Sequence, residues 1–254
     1  MVDFQNFNPE RFAYAVEEAS RGSAGIGTYN ERSLHAVLKK YIEPDETFHE
    51  VPVGRFVADI ARDNEIAEIQ TSQVFRMREK LEHFLEYSHV TLVCPQILRH
   101  YIMKYDSETG EALYTRLSTK RGTKQDICQA LIPIADMIGH ENLALWIPFF
   151  DVTDLRPKME NRRRGKKTDT MPKTLVDEMY VTHPRDFLRL LPEGLPAIFT
   201  VKDVEELAQC SHYGAQGLCH LLTEMGLAAR ERRDKGAYYY TLIFESASQS
   251  SDGL

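Results

Sequence analysis

The run from Phe56 to Gln70 constrains the fold more than any other part of the chain. Phe56-Val57-Ala58-Asp59-Ile60-Ala61 reads as a short strand, Arg62-Asp63-Asn64 turns the chain, and Glu65-Ile66-Ala67-Glu68-Ile69-Gln70 returns with strict alternation. His49-Glu50-Val51-Pro52-Val53 adds an extended run ahead of them. Successive side chains on a strand take opposite faces, so Glu68 and Gln70 share one face while Ile69 points to the other. Asp59, across the hairpin, converges on Glu68.

Helices are expected on both sides of this unit. Asn30 caps one whose stripe is Leu34, Val37, Leu38 and Tyr41, with Glu31 in its first turn and Pro44-Asp45 as its stop. Phe75 to Tyr87 reads as another, followed by the buried-looking strand Val90 to Pro95. An earlier helix starts at Asn8-Pro9 and carries Phe12, Val16 and Ala19. The glycines at 22, 25 and 27 that follow it read as a joint, because no strand precedes them and no Gly-Lys-Ser/Thr follows. Farther on, Ile102–Tyr105 and Ala112–Leu117 flank a hairpin turn, Lys124 to Ile138 reads as a helix, and Leu143–Val152 as a core strand.

Two converging carboxylates with a backbone carbonyl form a hard-oxygen site suited to Mg2+ or Mn2+, ions that keep several waters. A metal there would orient a water and stabilise charge on a phosphate in transit. Gln70 would position the attacking water, and Glu31 would support or complete the metal set. A merely solvated acidic face is the competing reading of Glu68-x-Gln70 taken alone.

The order of helix with Glu31, strand, strand with Asp59, strand with Glu68-Ile69-Gln70, helix and strand resembles the restriction-endonuclease-like nucleases. Their αβββαβ core carries an Asp…(Asp/Glu)-x-Lys motif. The resemblance covers residues 28–97 and is closest to the Holliday-junction-resolvase branch, where a glutamate of the first helix joins the motif. It implies catalytic roles for Glu31, Asp59, Glu68 and Gln70, with metal held by Asp59 and Glu68, in a metal-dependent DNA endonuclease. The branch leaves a homodimer open, since cutting two strands needs two sites. Gln70 departs from the usual lysine and brings no positive charge. Lys80 in the following helix, or Arg76 one turn earlier, are the residues that could supply it. The alternative is an inactive nuclease-like scaffold that binds DNA or regulates. More loosely, the whole chain resembles an uncharacterised bacterial family that joins this core to a C-terminal winged helix.

A net charge of −7 disfavours nucleic acid only when averaged. Between Leu155 and Lys167, Arg156, Lys158, Arg162, Arg163, Arg164, Lys166 and Lys167 face Glu160 alone. Such a loop either contacts phosphates or merely solubilises. Beyond Pro196, Thr200 caps a helix over Val201–Gln209 and Ser211 caps another over Ala215–Met225. A hairpin around Asp234-Lys235-Gly236 follows, and the unit looks like a winged helix. Ser211, His212, Tyr213 and Gln216 would face the groove, and Arg230, Arg232, Arg233 and Lys235 the backbone. Winged helices also bind proteins, and this recognition helix has few cations.

The expected fold class is therefore α/β, a restriction-endonuclease-like core with a C-terminal winged-helix domain. The expected divisions are 1–27 (helix and joint), 28–155 (nuclease-like domain), 156–196 (basic linker with a helix), 197–245 (winged helix) and 246–254 (frayed tail). With 254 residues and 43% hydrophobic composition, the chain is long enough for a sizeable core. No apolar run approaches a membrane span and no signal peptide opens it. Cys94, Cys128, Cys210 and Cys219 are scattered, which points to a reducing, cytoplasmic setting rather than a disulfide or zinc framework.

Overall fold

The computed structural model describes residues 1, 3–21, 33–158, 167–232 and 236–244, with the backbone alone at 20, 21, 33 and 232. Glu31, Arg162, Arg163, Arg164, Lys166, Arg233 and Lys235 lie outside the described residues, as does the side chain of Arg232. The glycine-rich joint and the tail beyond 244 lie outside them too.

The architecture is mixed α/β. Helices α1 (Pro9–Arg21) and α2 (Ser33–Ile42) come first. Strands β1 (His49–Val53), β2 (Phe56–Arg62) and β3 (Glu65–Ile69) then form an antiparallel meander. A 3-10 turn at Val74–Met77 leads into α3 (Arg78–Leu85), after which β4 (His89–Val93) lies parallel to β3. The hairpin β5 (Gln96–Tyr105) and β6 (Ala112–Arg121) precedes α4 (Asp126–Leu131). The long strand β7 (Leu143–Pro157) runs parallel to β4 over Leu143–Trp146 and parallel to β5 over Phe149–Pro157. A strand has two edges, and β8 (Asp169–Val181) occupies the other one from Leu145 to Leu155. β4 and β5 therefore lie end to end along one edge of β7. The sheet order is β1-β2-β3-β4-β7-β5-β6, with β8 on β7.

Each face of the sheet carries its own core. On one, Phe12, Leu34, Val37, Leu38, Tyr41 and Ile42 of the first two helices bury Ile60, Ala67, Ile69, Val93, Trp146 and Phe150. Tyr41 stacks on Trp146 at 5.8 Å, and Phe12 on Phe150 at 5.5 Å. Asn8 caps α1 as expected, its side chain accepting from the Arg11 amide at 2.9 Å. On the other face Leu81, Phe84, Ile127, Cys128 and Leu131 cover Ile66, Leu92, Leu145, Ile147 and Phe149.

The C-terminal elements are β9 (Ile198–Phe199), α5 (Val201–Ala208), α6 (His212–Glu224), β10 (Ala228–Arg232) and β11 (Tyr238–Leu242), with strand order β10-β11-β9. Thr200 and Ser211 cap the two helices as the sequence indicates. Phe199, Leu218, Leu221 and Tyr240 belong to the same buried cluster as α3 and α4, so this part is continuous with the main core. Contact between α6 and α4 is close because Gly214 and Gly217 lack side chains. A Cβ at Gly217 would stand 2.8 Å from the Gln129 backbone nitrogen.

Two expectations needed correction. The stretch 156–196, expected as a basic linker with a helix, contains the thirteen-residue strand β8 before its 3-10 turn at Pro184–Leu190. β8 is buried at its ends and exposed in its middle, so no alternation marks it, and its pairing with β7 holds it in place. The helix expected over 124–138 is an α-helix only to Leu131 and continues as a 3-10 turn over Ile132–Met137, where Pro133 removes an amide donor. Among the described residues no helix is long and apolar enough to cross a membrane.

Candidate functional site

The ladder between β2 and β3 stops at Ile60↔Ala67. Beyond it the two strands are held by side chains instead. Glu68 Oε1 accepts from the Asp59 amide at 3.0 Å, and Asp59 Oδ2 accepts from the Ile69 amide at 2.8 Å. The reciprocal pair satisfies two buried amides and brings both carboxylates together, as the alternation predicts. Asp59 Oδ1 accepts no hydrogen bond among the described residues.

Lys80 and His35 complete the cluster. Lys80 of α3 donates from Nζ to Glu68 Oε2 at 2.6 Å, and His35 Nε2 of α2 lies 3.3 Å from Asp59 Oδ2. Glu68 is only 2% exposed. Burial, together with the Asp59 charge, pushes its carboxyl up to about 7 against the pull of Lys80. Burial also works to raise Asp59, but the bonds from His35 and the Ile69 amide, with the Lys80 charge, hold it below the usual carboxylate range. One acid is thus kept ionised while the other titrates near neutrality.

The remaining expected residues are placed as follows. The Gln70 amide nitrogen donates to Ser72 O, and its backbone nitrogen donates to Val93 O at 2.8 Å. Arg76 is exposed, with its guanidinium over the Phe75 ring, away from the pair. Lys80, one of the two helix cations named from the sequence, makes the contact. His35 was missed; in the helix expected from Asn30 it follows Glu31 by four residues, the spacing of one helix face, and that spacing could have flagged it.

The donor set fits a hard cation. Among the described residues no group of three or more His, Cys, Asp and Glu side chains gathers to hold a metal. Two carboxylates alone do not make a zinc site, which takes three or four protein ligands. They suit Mg2+, which is commonly held by one or two carboxylates with waters and a substrate phosphate completing its shell. A cavity of about 330 Å³ is lined by Leu34, Thr71, Ile97 and Lys167–Thr170. Lys167, the described end of the basic loop, lines it, with its Nζ 3.8 Å from Asp154 Oδ1.

Of the proposed groove-facing residues of α6, Ser211 caps the helix and donates to Asp126, while His212 pairs with Glu205 at 2.8 Å. Tyr213 and Gln216 are exposed, and His220 pairs with Glu224. On the hairpin, Arg230 lies over the Tyr238 ring. All four cysteines are free, and no zinc set forms around Cys210 or Cys219 among the described residues.

A family model described as "Domain of unknown function (DUF8091)" matches residues 32–182, the span from α2 through β8. An "Uncharacterized protein" of Treponema pallidum (strain Nichols) is 29% identical over 192 residues, 74% of this chain and 76% of that protein. No solved structure matches the chain.

Proposed function

The chain belongs to the DUF8091 family, and we propose that it is a metal-dependent DNA endonuclease with a restriction-endonuclease-like core. The observation that carries this reading is the Asp59–Glu68 pair, buried, reciprocally bonded and served by Lys80. Asp59 and Glu68 would hold Mg2+ or Mn2+, with Glu31 completing the set. The metal would supply charge neutralisation at the scissile phosphate and a water of lowered pKa.

The chain's own groups account for the rest. Asp59, held low by His35 and the Ile69 amide, would meet the metal as a carboxylate. Glu68 would have to give up its proton to join it. Lys80 provides the positive charge that a motif lysine at position 70 would bring, directed at the phosphate oxygens as they gain charge. Lys167 beside the cavity and the Arg162–Lys166 loop would hold the flanking backbone, a sequence-independent contact. The α5–α6–β10–β11 order supports a winged helix whose free surface is His212, Tyr213 and Gln216.

Gln70 favours a second reading, a nuclease-like scaffold that binds DNA without cutting it, because its amide is engaged by Ser72 rather than by the pair. Incubation of branched and linear DNA with Mg2+ or Mn2+ separates the two. Cleavage by the wild type and its loss in Asp59→Asn is expected; equal cleavage by both proteins overturns the assignment. Binding without cleavage, insensitive to metal, selects the scaffold.

A further inference from the structure

The basic charge near the site is not confined to the loop. Lys104, Arg116, Lys120 and Arg156, with Ser118 and Thr119, line a groove of about 390 Å³ on the outer part of the sheet, and among the described residues no acidic side chain lines it. Register places these cations on one face. Lys104 lies opposite Arg156, and Arg116 lies opposite Ile102, two residues from Lys104. Lys104, Arg116 and Lys120 form no ion pair among the described residues, so their charge is not cancelled locally.

Asp154 lies opposite Ile102 on β7 and is approached by Lys167, which lines the cavity beside Thr71 and Leu34. The separation from the carboxylates follows from the strands. The Gln70 amide bonds Val93 O, Val93 lies opposite Trp146, and Arg156 is ten residues farther along β7. At about 3.3 Å per residue that is roughly 33 Å. A duplex covers this distance in about ten base pairs at its 3.4 Å rise per strand.

We propose that this groove is a second phosphodiester-binding site, which grips the backbone of one DNA duplex arm about one helical turn from the Asp59–Glu68 centre. The assignment rests on the nuclease reading for its substrate. Its cations are held in a paired sheet, so their spacing is set by β5, β6 and β7 rather than by a loop. Hydroxyls at Ser118 and Thr119 add neutral donors of the kind that contact phosphate oxygens.

The test compares binding of fluorescein-labelled duplexes of about 30 and about 8 base pairs to the full chain in EDTA across a salt series, only the longer being long enough to reach both sites. The variant is Lys104→Ala/Arg116→Ala/Lys120→Ala. For the long duplex, affinity is expected to fall about tenfold or more, and the log–log salt slope to become shallower by about 2 to 3. The short duplex can occupy the groove alone, so its affinity and slope are expected to fall as well. Lys104→Arg/Arg116→Lys/Lys120→Arg keeps the charge and is expected to bind like the wild type, which separates charge from folding. An unchanged slope on the long duplex overturns the proposal, and so does an unchanged slope on the short one. Asp59→Asn is assayed alongside for cleavage: if it cuts like the wild type, the nuclease reading fails while the groove is still judged by its own salt slopes.

Discussion

Lys80 Nζ reaches Glu68 Oε2 at 2.6 Å from the helix that follows the strand bearing Glu68. An ammonium group thus stands beside the acid although position 70 carries glutamine. Loss of one preorganised charge at a phosphoryl-transfer centre is typically about a 100- to 1,000-fold effect on rate. Lys80→Ala is expected to lower the single-turnover cleavage rate by about that factor, and Gln70→Ala by about tenfold or less. The reverse order would hand the role to Gln70.

Glu68 sets a pH dependence with a definite sign. Its carboxyl is raised to about 7 in the fold from its ordinary value of 4.5, so the folded state binds the proton more tightly. Its contribution to stability is fully present below that lower value, falls as pH rises towards 7, and is absent above. A cation competes with the same proton. Thermal unfolding is expected to show a larger stabilisation by Mg2+ at about pH 8 than at about pH 6. Asp59→Asn should abolish both shifts, and equal wild-type shifts at the two pH values would remove the metal from Glu68.

Asp154 joins three strands. Its carboxylate meets His100 Nδ1 at 3.0 Å and the Thr170 hydroxyl at 3.0 Å, in a buried position. Burial works to raise this acid, but His100, Lys167 and Thr170 hold it low. Its stabilising contribution is present above the ordinary aspartate range and is lost as pH falls through its lower folded value. Asp154→Asn is expected to lower stability by about 1–3 kcal/mol at neutral pH. Urea unfolding at neutral and acid pH should show that difference shrinking on the acid side.

The α4–α6 contact depends on the missing side chain at Gly217. Gly217→Val forces the helices apart and is expected to cost about 1–3 kcal/mol of unfolding free energy. Gln216→Ala, on the exposed side of the same helix, should be nearly neutral. Denaturant midpoints of the two variants give the comparison directly.

Burial pushes the Cys94 and Cys219 thiols up to about 12, and raises Cys128 strongly as well. The thiolate is the reactive form, so these three are expected to resist a thiol reagent in the native protein. Half-buried Cys210 should react first. Full labelling without denaturant would contradict the packing of all three.

The carboxylate pair was legible because a strand's period of two projects directly into space: Asp59 and Glu68 could be placed from alternation alone. Lys80 was visible only as one of two helix cations, since helix phase relative to a sheet depends on packing that local sequence does not state. β8 escaped because its burial comes from β7, a partner distant in the chain, and its exposed middle breaks any pattern. The basic groove was likewise invisible. Lys104, Arg116 and Arg156 are scattered in sequence and meet only through the registers of β5 with β6 and β7. For α6, the cap at Ser211 was legible, whereas the approach at Gly217 needed its neighbour.

The crossed bonds between Asp59 and Glu68 tie the proposed catalytic pair to architecture. Each acid caps an amide that the sheet ladder leaves open, so this sheet needs an acceptor at both positions even without a metal. A descendant that had lost all cleavage would still be under pressure to keep both acids, or their amides, to remain folded. The pair on its own is therefore a mark of the scaffold, and the ammonium group of Lys80, which satisfies no backbone, is the better diagnostic of whether a relative still cuts.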